Sequence, residues 1–391
     1  MLRIPIAYNI RNLRVRWVST LVALTGIAGV VTVFVAMLSM AKGFQETLKA
    51  TGSETNIMVR RGGSTSEMES VISLEQVKII SNAASVSRDD HENPIFTSEV
   101  VTIAALPMIS TCTEANVSVR GVSQDVLRVR DKVKIVRGRF FKAGFPELVV
   151  GKNATELYQN LHLHNSIQFG GQVWKVVGIL DAGGNAFDSE LWCDAYVLNQ
   201  VYKRPTNIFQ SVTVKVKSFD SFLEFKDTIS TDPRLNVTVE REVDYYKRQA
   251  RMIVTIIQVL GFLIAAVMGI GAIFGALNTM YAAVSSRTVE IATLGALGFT
   301  RGDVVLSFIL ESLLIALLGG IIGSIIILPL NGFTASTINW ATFSHLAFAF
   351  QITPDLMLGG ILFSLIMGFL GGLFPALHAS KQSLVNTLRG M

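Results

Sequence analysis

Residues 284–311 read VSSRTVEIATLGALGFTRGDVVLSFILE, a polar island between two long apolar runs. Upstream, residues 252–286 contain no Asp, Glu, Lys or Arg, and downstream Glu311 is the one acid or base of that kind between residues 304 and 354. Both runs exceed the roughly 20 residues that a helix needs to cross a bilayer core, so the island lies at one membrane face. Within it Arg287, Glu290, Ile291, Leu294 and Leu297 recur at spacings of three and four, which predicts a short helix with charged and apolar groups on adjoining faces. Gly298 stops that helix, and Thr300-Arg301-Gly302-Asp303 turns the chain back. Lying along the bilayer, such a helix presents a rigid surface to the adjacent water. The plainer alternative is a polar connector whose charged side chains snorkel.

Composition agrees with a membrane chain. Half of the 391 residues are hydrophobic, 16% are charged and the mean hydropathy is +0.47. The charges concentrate in residues 42–251, whose composition is that of an ordinary globular domain. The net charge of +5 does not indicate nucleic acid, because the bases are scattered among acids with no Lys/Arg-rich run. Cys112 and Cys193 both fall in this middle stretch, and their spacing does not decide whether they pair.

Residues 1–16 place Ile6, Ile10 and Leu13 at helical spacing ahead of Trp17, with Arg3, Arg11, Arg14 and Arg16 interleaved, as in an amphipathic helix at the cytoplasmic interface. The first span, 17–41, is too long an apolar run for a cleaved signal peptide. Three further spans follow at 252–284, 304–328 and 355–377, separated by the island at 285–303 and a short external loop at 329–354, with a cytoplasmic tail at 378–391. Orientation follows the bases: those before the first span, Arg287 and Arg301 in the island, and Lys381 and Arg389 after the last span are cytoplasmic, whereas 329–354 has none. Lys247, Arg248 and Arg251 stand on the other side, where long translocated domains are largely exempt from the rule.

The expected fold is therefore an α-helical membrane protein with four transmembrane helices and an α+β extracytoplasmic domain, 42–251, inserted between the first and second. Strands are predicted at 55–61, 116–121, 147–150, 166–169, 173–180 and 212–216, and helices at 74–83 and 219–229. Asp181, Asp188, Glu190 and Asp194, close to Gly183-Gly184, read as a solvated loop. His162 and His164 would share one strand face but lack a third metal ligand. No metal site, catalytic set or G-x-S-x-G is expected.

Gly271 and Gly275, Gly319 and Gly323, and Gly368 and Gly372 are each four apart, a spacing that lets helix backbones approach closely within lipid, in this chain or against a second copy. Glu311 would be costly if unpaired in the bilayer. It is expected near the cytoplasmic end, paired with Arg301 or Arg287. Residues 343–350 read as a short strand or interfacial segment, with Trp340 at headgroup level.

The stretch R-T-V-E-I-A-T-L-G-A-L-G-F (residues 287–299), followed by a span carrying an acid, resembles the coupling-helix region of FtsX/MacB-type (type VII, MacB/LolCDE-like) ABC transporter permeases. The closing G-L-F-P-A-L-H-A-S-K-Q-S-L-V-N-T-L-R (residues 372–389) resembles the family signature G-x-x-P-A-x-x-A…L-R. With one span before the middle domain and three after it, the resemblance covers the whole chain. It implies a porter-like subdomain with a variable β-rich insert. It also implies that Arg287, Glu290, Ile291, Leu294, Leu297 and Gly298 form the helix that an ATPase pushes. The partners it implies are a cytoplasmic ABC ATPase subunit that binds ATP and Mg, a second permease chain of the same or a related kind, and a periplasmic adaptor or membrane fusion protein, within the lipids of a bacterial inner membrane. No G-x-x-x-x-G-K-[S/T] occurs, so no cofactor is expected in this chain and hydrolysis falls to the partner. The expected function is mechanical transmission for export or extraction of an envelope substrate. The alternative is an FtsX-like scaffold that regulates a cell-wall hydrolase without transport. No residue selects a substrate.

Overall fold

A computed structural model of the chain describes residue 11 and residues 13–339 and 342–381. Most of the amphipathic stretch 1–16, Trp340 and the end of the closing signature lie outside these. The chain divides into two compact units: Met1–Lys42, Thr255–Phe333 and Phe350–Met391 form a spanning unit, and Gly43–Val254 with Thr334–Ala349 form an inserted unit.

Helix α1 (Trp17–Thr51) is followed by strand β1 (Asn56–Arg61) and helix α2 (Leu74–Ser81). Then come strands β2 (Phe96–Pro107), β3 (Glu114–Val122), β4 (Lys134–Gly138), β5 (Glu147–Gly151), β6 (Ser166–Phe169), β7 (Gln172–Asp181), β8 (Glu190–Asp194) and β9 (Ser211–Lys215). Helix α3 (Phe219–Thr231) and strand β10 (Val237–Arg241) lead into α4 (Glu242–Ser286), α5 (Thr288–Ala296) and α6 (Arg301–Ile326). The hairpin β11 (Thr334–Asn339) and β12 (Ser344–Ala349) precedes α7 (Pro354–Ser380). Residues 343–350 are thus largely a strand.

Among the described residues, four helices are long and apolar enough to cross a membrane: α1, α4, the helical stretch beginning with α6, and α7. α1 has 35 residues and α4 has 45. At 1.5 Å per residue they are about 52 and 67 Å long, beyond the ~30 Å of a hydrocarbon core. The apolar runs end near residues 41 and 252 because side-chain polarity changes there. The helices do not end, because residues 42–51 and 242–251 contain no proline and bury Phe44, Leu48, Tyr245, Tyr246 and Ala250.

In the inserted unit, a ten-stranded sheet has the order β10-β1-β9-β2-β3-β8-β5-β7-β4, with β6 also pairing β7. β3 with β8 and β5 with β7 are parallel, and the remaining pairs are antiparallel. The core includes Val59, Val119, Leu148, Val150, Trp174, Leu191, Val214 and Phe225. α2 begins with a reciprocal capping box between Ser73 and Gln76.

Each predicted strand and helix of this unit has a counterpart, but β2, β4, β8 and β10 escaped the sequence reading. β2 is buried along most of both faces, so it lacks the alternation that marks a half-exposed strand. β8 corrects a specific expectation: Asp188, Glu190 and Asp194 are buried rather than solvated. Asp188 is satisfied by the amides of Ala182 and Gly184, and Asp194 by those of Gly144 and Tyr196. His162 and His164 lie in a bend and turn, not on a strand. Cys112 is exposed, Cys193 is buried, and both are free thiols.

The two ends of the inserted segment meet. A Cβ on Gly52, just past α1, would run into the backbone of Glu242 and Val243 at the start of α4. Glu242 Oε2 accepts from Ser53 N at 3.1 Å and from Asn56 Nδ2 at 2.9 Å.

Candidate functional site

The polar island folds as a break, a short helix and a turn. Arg287 leaves the helical conformation at φ −115°, which separates α4 from the nine-residue α5. At the far end Gly298 has φ +89°, Gly298 N donates to Gly295 O, and Phe299 N donates to Leu294 O. This is the paired bonding of a Schellman stop, in which glycine takes the left-handed conformation without a Cβ penalty. Thr300 then caps α6, exchanging hydrogen bonds with Asp303.

The residues singled out in the sequence divide between two faces of α5. Arg287 and Ile291 point inward. Ile291 joins Met280, Ala283, Val284, Val304, Phe308, Ala376 and Ala379 in an apolar cluster of the spanning unit. Leu294 is half-buried, whereas Glu290, Leu297 and Gly298 are exposed. Val289 and Thr293 are exposed beside them and were missed. A three-residue step from Glu290 to Thr293 was the available signal, but an isolated Thr carries little weight in a pattern of charges and leucines.

Glu311 pairs with Arg287, not with Arg301. Arg287 Nη1 lies 2.9 Å from Glu311 Oε2, and the two residues are 7% and 4% exposed. Arg301 opens α6 and is exposed. Ten residues of helix set it about 15 Å along the axis from Glu311 and on another face, out of reach. Arg287 succeeds because the break before α5 turns its side chain back toward α6. Replacing a lone buried carboxylate by a hydrogen-bonded pair is the condition under which such a charge persists in apolar surroundings.

The glycine pairs also separate. Gly319 meets Ile27 and Leu24 of α1, and Gly323 meets Ala28 and Val31. The Gly323 carbonyl also accepts from Thr32 Oγ1 at 3.1 Å. Gly368 and Gly372 of α7 abut Ala316, Ser312 and Phe308 of α6. At Gly271 and Gly275 an added Cβ would meet nothing within 4 Å among the described residues, so those two are not close-packing points between the described helices.

The inserted unit holds an ion network that the sequence reading did not anticipate. Arg120 donates from Nε to Glu190, from Nη1 to Glu67 and Glu99, and from Nη2 to Glu67 and Glu190, using its fork on three carboxylates. Arg130 binds Glu99 through Nη2, and its Nη1 lies 3.2 Å from Glu242. Its guanidinium also lies 4.1 Å from the centre of the Phe187 ring. All six charged residues are at least nine-tenths buried. Burial tends to raise Glu67, but Arg120, aided by Ser211, outweighs it and holds that carboxyl below its ordinary value. At Glu99 burial prevails over Arg130 and Arg120 and raises the carboxyl. The contributing residues are scattered over Glu67 to Glu242, so no local spacing announces them.

Comparison with known proteins fits both units. Residues 262–384 match the FtsX-like permease C-terminal family, and residues 20–231 match the MacB-like periplasmic core domain. An uncharacterized ABC transporter permease, YknZ of Bacillus subtilis, is 26% identical over 71% of this chain and 70% of its own. The macrolide export ATP-binding/permease protein MacB of Bdellovibrio bacteriovorus is 24% identical over 95% of this chain. The chain spans 58% of that relative's length. A crystal structure of the extracellular domain of YknZ aligns with 48% of this chain and all of that one, at 16% identity and a TM-score of 0.36. A span before a β-rich inserted domain, three spans after it and family matches across both units make the chain a member of the FtsX/MacB-type ABC transporter permeases.

Proposed function

We propose that the chain is the membrane subunit of a mechanically coupled ABC transporter in a bacterial inner membrane, with both termini and α5 in the cytoplasm. A separate ABC ATPase, which binds ATP and Mg, docks on α5. Two permease chains each carry such an ATPase, and its closure pushes α5. The motion passes along α4 and α1 to the extracytoplasmic domain, which exports or extracts an envelope substrate together with a periplasmic adaptor.

The observation that carries this reading is the two-sidedness of α5. Its inner face is anchored by Ile291 and by the Arg287–Glu311 pair, while Val289, Glu290, Thr293 and Leu297 are left exposed. A helix so anchored transfers a push instead of rolling under it. Extension of α1 and α4 beyond their apolar runs supports the second half of the path.

The test is a complex reconstituted with its ATPase. Glu290→Lys with Leu297→Asp is expected to abolish substrate-stimulated ATP hydrolysis and transport while the permease remains folded and inserted. Transport and stimulation at the level of the unsubstituted chain would refute the docking site. In a Cys112→Ser background, Asp220→Cys should react with an impermeant maleimide from outside and Gly302→Cys only from inside. The opposite pattern would refute the orientation.

A further inference from the structure

A cleft of about 520 Å³ lies within the inserted unit, walled by Met68, Tyr245, Met252, Ile253 and Phe343, with Thr65, Ser66, Glu69, Arg248 and Gln249 at its polar edge. That volume falls in the range of about 300–1,000 Å³ typical of small-molecule sites. Tyr245, Arg248, Gln249, Met252 and Ile253 follow helical steps of three and four and so form one face of α4. The opposite walls come from the turn after β1 and from Phe343 at the tip of the β11–β12 hairpin.

Three features narrow the occupant. Met252 and Phe343 are 66% and 54% exposed, large apolar side chains left uncovered beside a cavity. Met252 is also the first residue of the charge-free run of α4, so the cleft straddles the point at which this helix changes from charged to bilayer-suited. Methionines at Met68 and Met252 give walls that adapt to a flexible hydrocarbon. Arg248 at the edge can meet a lipid phosphate. Arg248 packs its guanidinium 5.7 Å from the centre of the Tyr245 ring and reaches Glu240 at 2.8 Å. Glu240 is already held by Arg60, so Arg248 is not fully neutralised. The acid on the wall, Glu69, is bound back to Thr65 N at 3.1 Å and Thr65 Oγ1 at 2.8 Å. Ser66 and Gln249 add neutral donors for phosphate oxygens.

We propose that this cleft binds a phospholipid of the surrounding bilayer, with one acyl chain between Met68, Met252 and Phe343 and its phosphate at Arg248. The site stands apart from the transport reading, because a chain without an ATPase carries the same cleft.

The test uses the full chain in nanodiscs of phosphatidylethanolamine and phosphatidylglycerol. The discs contain a trace of phosphatidylglycerol with a diazirine in one acyl chain, and adducts are mapped by mass spectrometry after irradiation. Adducts are expected on Met68, Tyr245 or Phe343. They should be lost when Ser66→Trp fills the cleft, while adducts at Phe262 and Phe274 in the charge-free part of α4 persist. If Ser66→Trp does not fold, Gln249→Trp serves the same purpose. Arg248→Gln should reduce cleft labelling by the phosphatidylglycerol probe but not by a diacylglycerol carrying the same diazirine. Adducts confined to Phe262 and Phe274, or cleft adducts that persist in the filled variant, would each overturn the site. Equal loss of labelling for both probes in Arg248→Gln would overturn the assignment of the phosphate.

Discussion

In the spanning unit Glu311 hydrogen-bonds, among the described residues, to one guanidinium, that of Arg287. In the extracytoplasmic domain Arg120 distributes its donors over Glu67, Glu99 and Glu190, and Arg130 links Glu99 to Glu242. Both are buried charge, yet they solve different problems. The pair is balanced, one charge against one, and fixes the orientation of a single short helix. The network sets four carboxylates against two guanidiniums and joins the turn after β1, strands β2, β3 and β8, and the start of α4. Removing one end of a balanced pair strands one charge, whereas removing the hub of a branched network strands several at once.

The largest expected effect follows from that asymmetry. Arg120→Met leaves Glu67, Glu99 and Glu190 without their principal donor and should destabilise the extracytoplasmic domain by about 5 kcal/mol. Trp192 is a reporter, because its Nε1 donates to Glu190 at 3.1 Å. Its emission in a denaturant titration should shift to a lower midpoint, and an unchanged midpoint would show that the hub is not what holds these strands. Arg287→Met is expected to cost about 3 kcal/mol in the spanning unit. The double variant Arg287→Met with Glu311→Leu should recover most of that, because no charge is then stranded. A double variant as unstable as the single one would mean that the contact is needed for packing and not for charge balance.

A smaller effect tests the contrast from the other side, since Gly319, Gly323, Gly368 and Gly372 bring spans together without charge. Gly323→Leu should cost about 1–3 kcal/mol by overpacking against Ala28 and Val31. Gly271→Leu should leave the stability of an isolated chain nearly unchanged, because no described residue lies within 4 Å of the added Cβ. Thermal unfolding of detergent-solubilised chain separates the two, and equal losses would overturn the distinction between the glycine pairs.

Some of this was legible beforehand because it depends on local chemistry. A run without charge declares a span, glycine after a periodic stretch declares the end of α5, and alternating residues declare a strand such as β6. Glu311 declared that it needed a partner, but not which one, because Arg287 and Arg301 are both close in sequence and only the break at Arg287 brings one of them within reach. Val289 and Thr293 were missed for a similar reason: exposure on a short helix depends on what packs behind it.

The four spans, the large insertion after the first and the polar island between the second and third can all be read along the chain. These follow from side-chain polarity summed over stretches longer than any local accident. Tertiary structure alone decided that α1 and α4 continue past their apolar runs, that Glu190 is buried on a strand and that Gly319 packs where Gly271 does not. Each of those outcomes depends on which distant residues meet, and a charge or a glycine has no fixed meaning until its neighbours are in place.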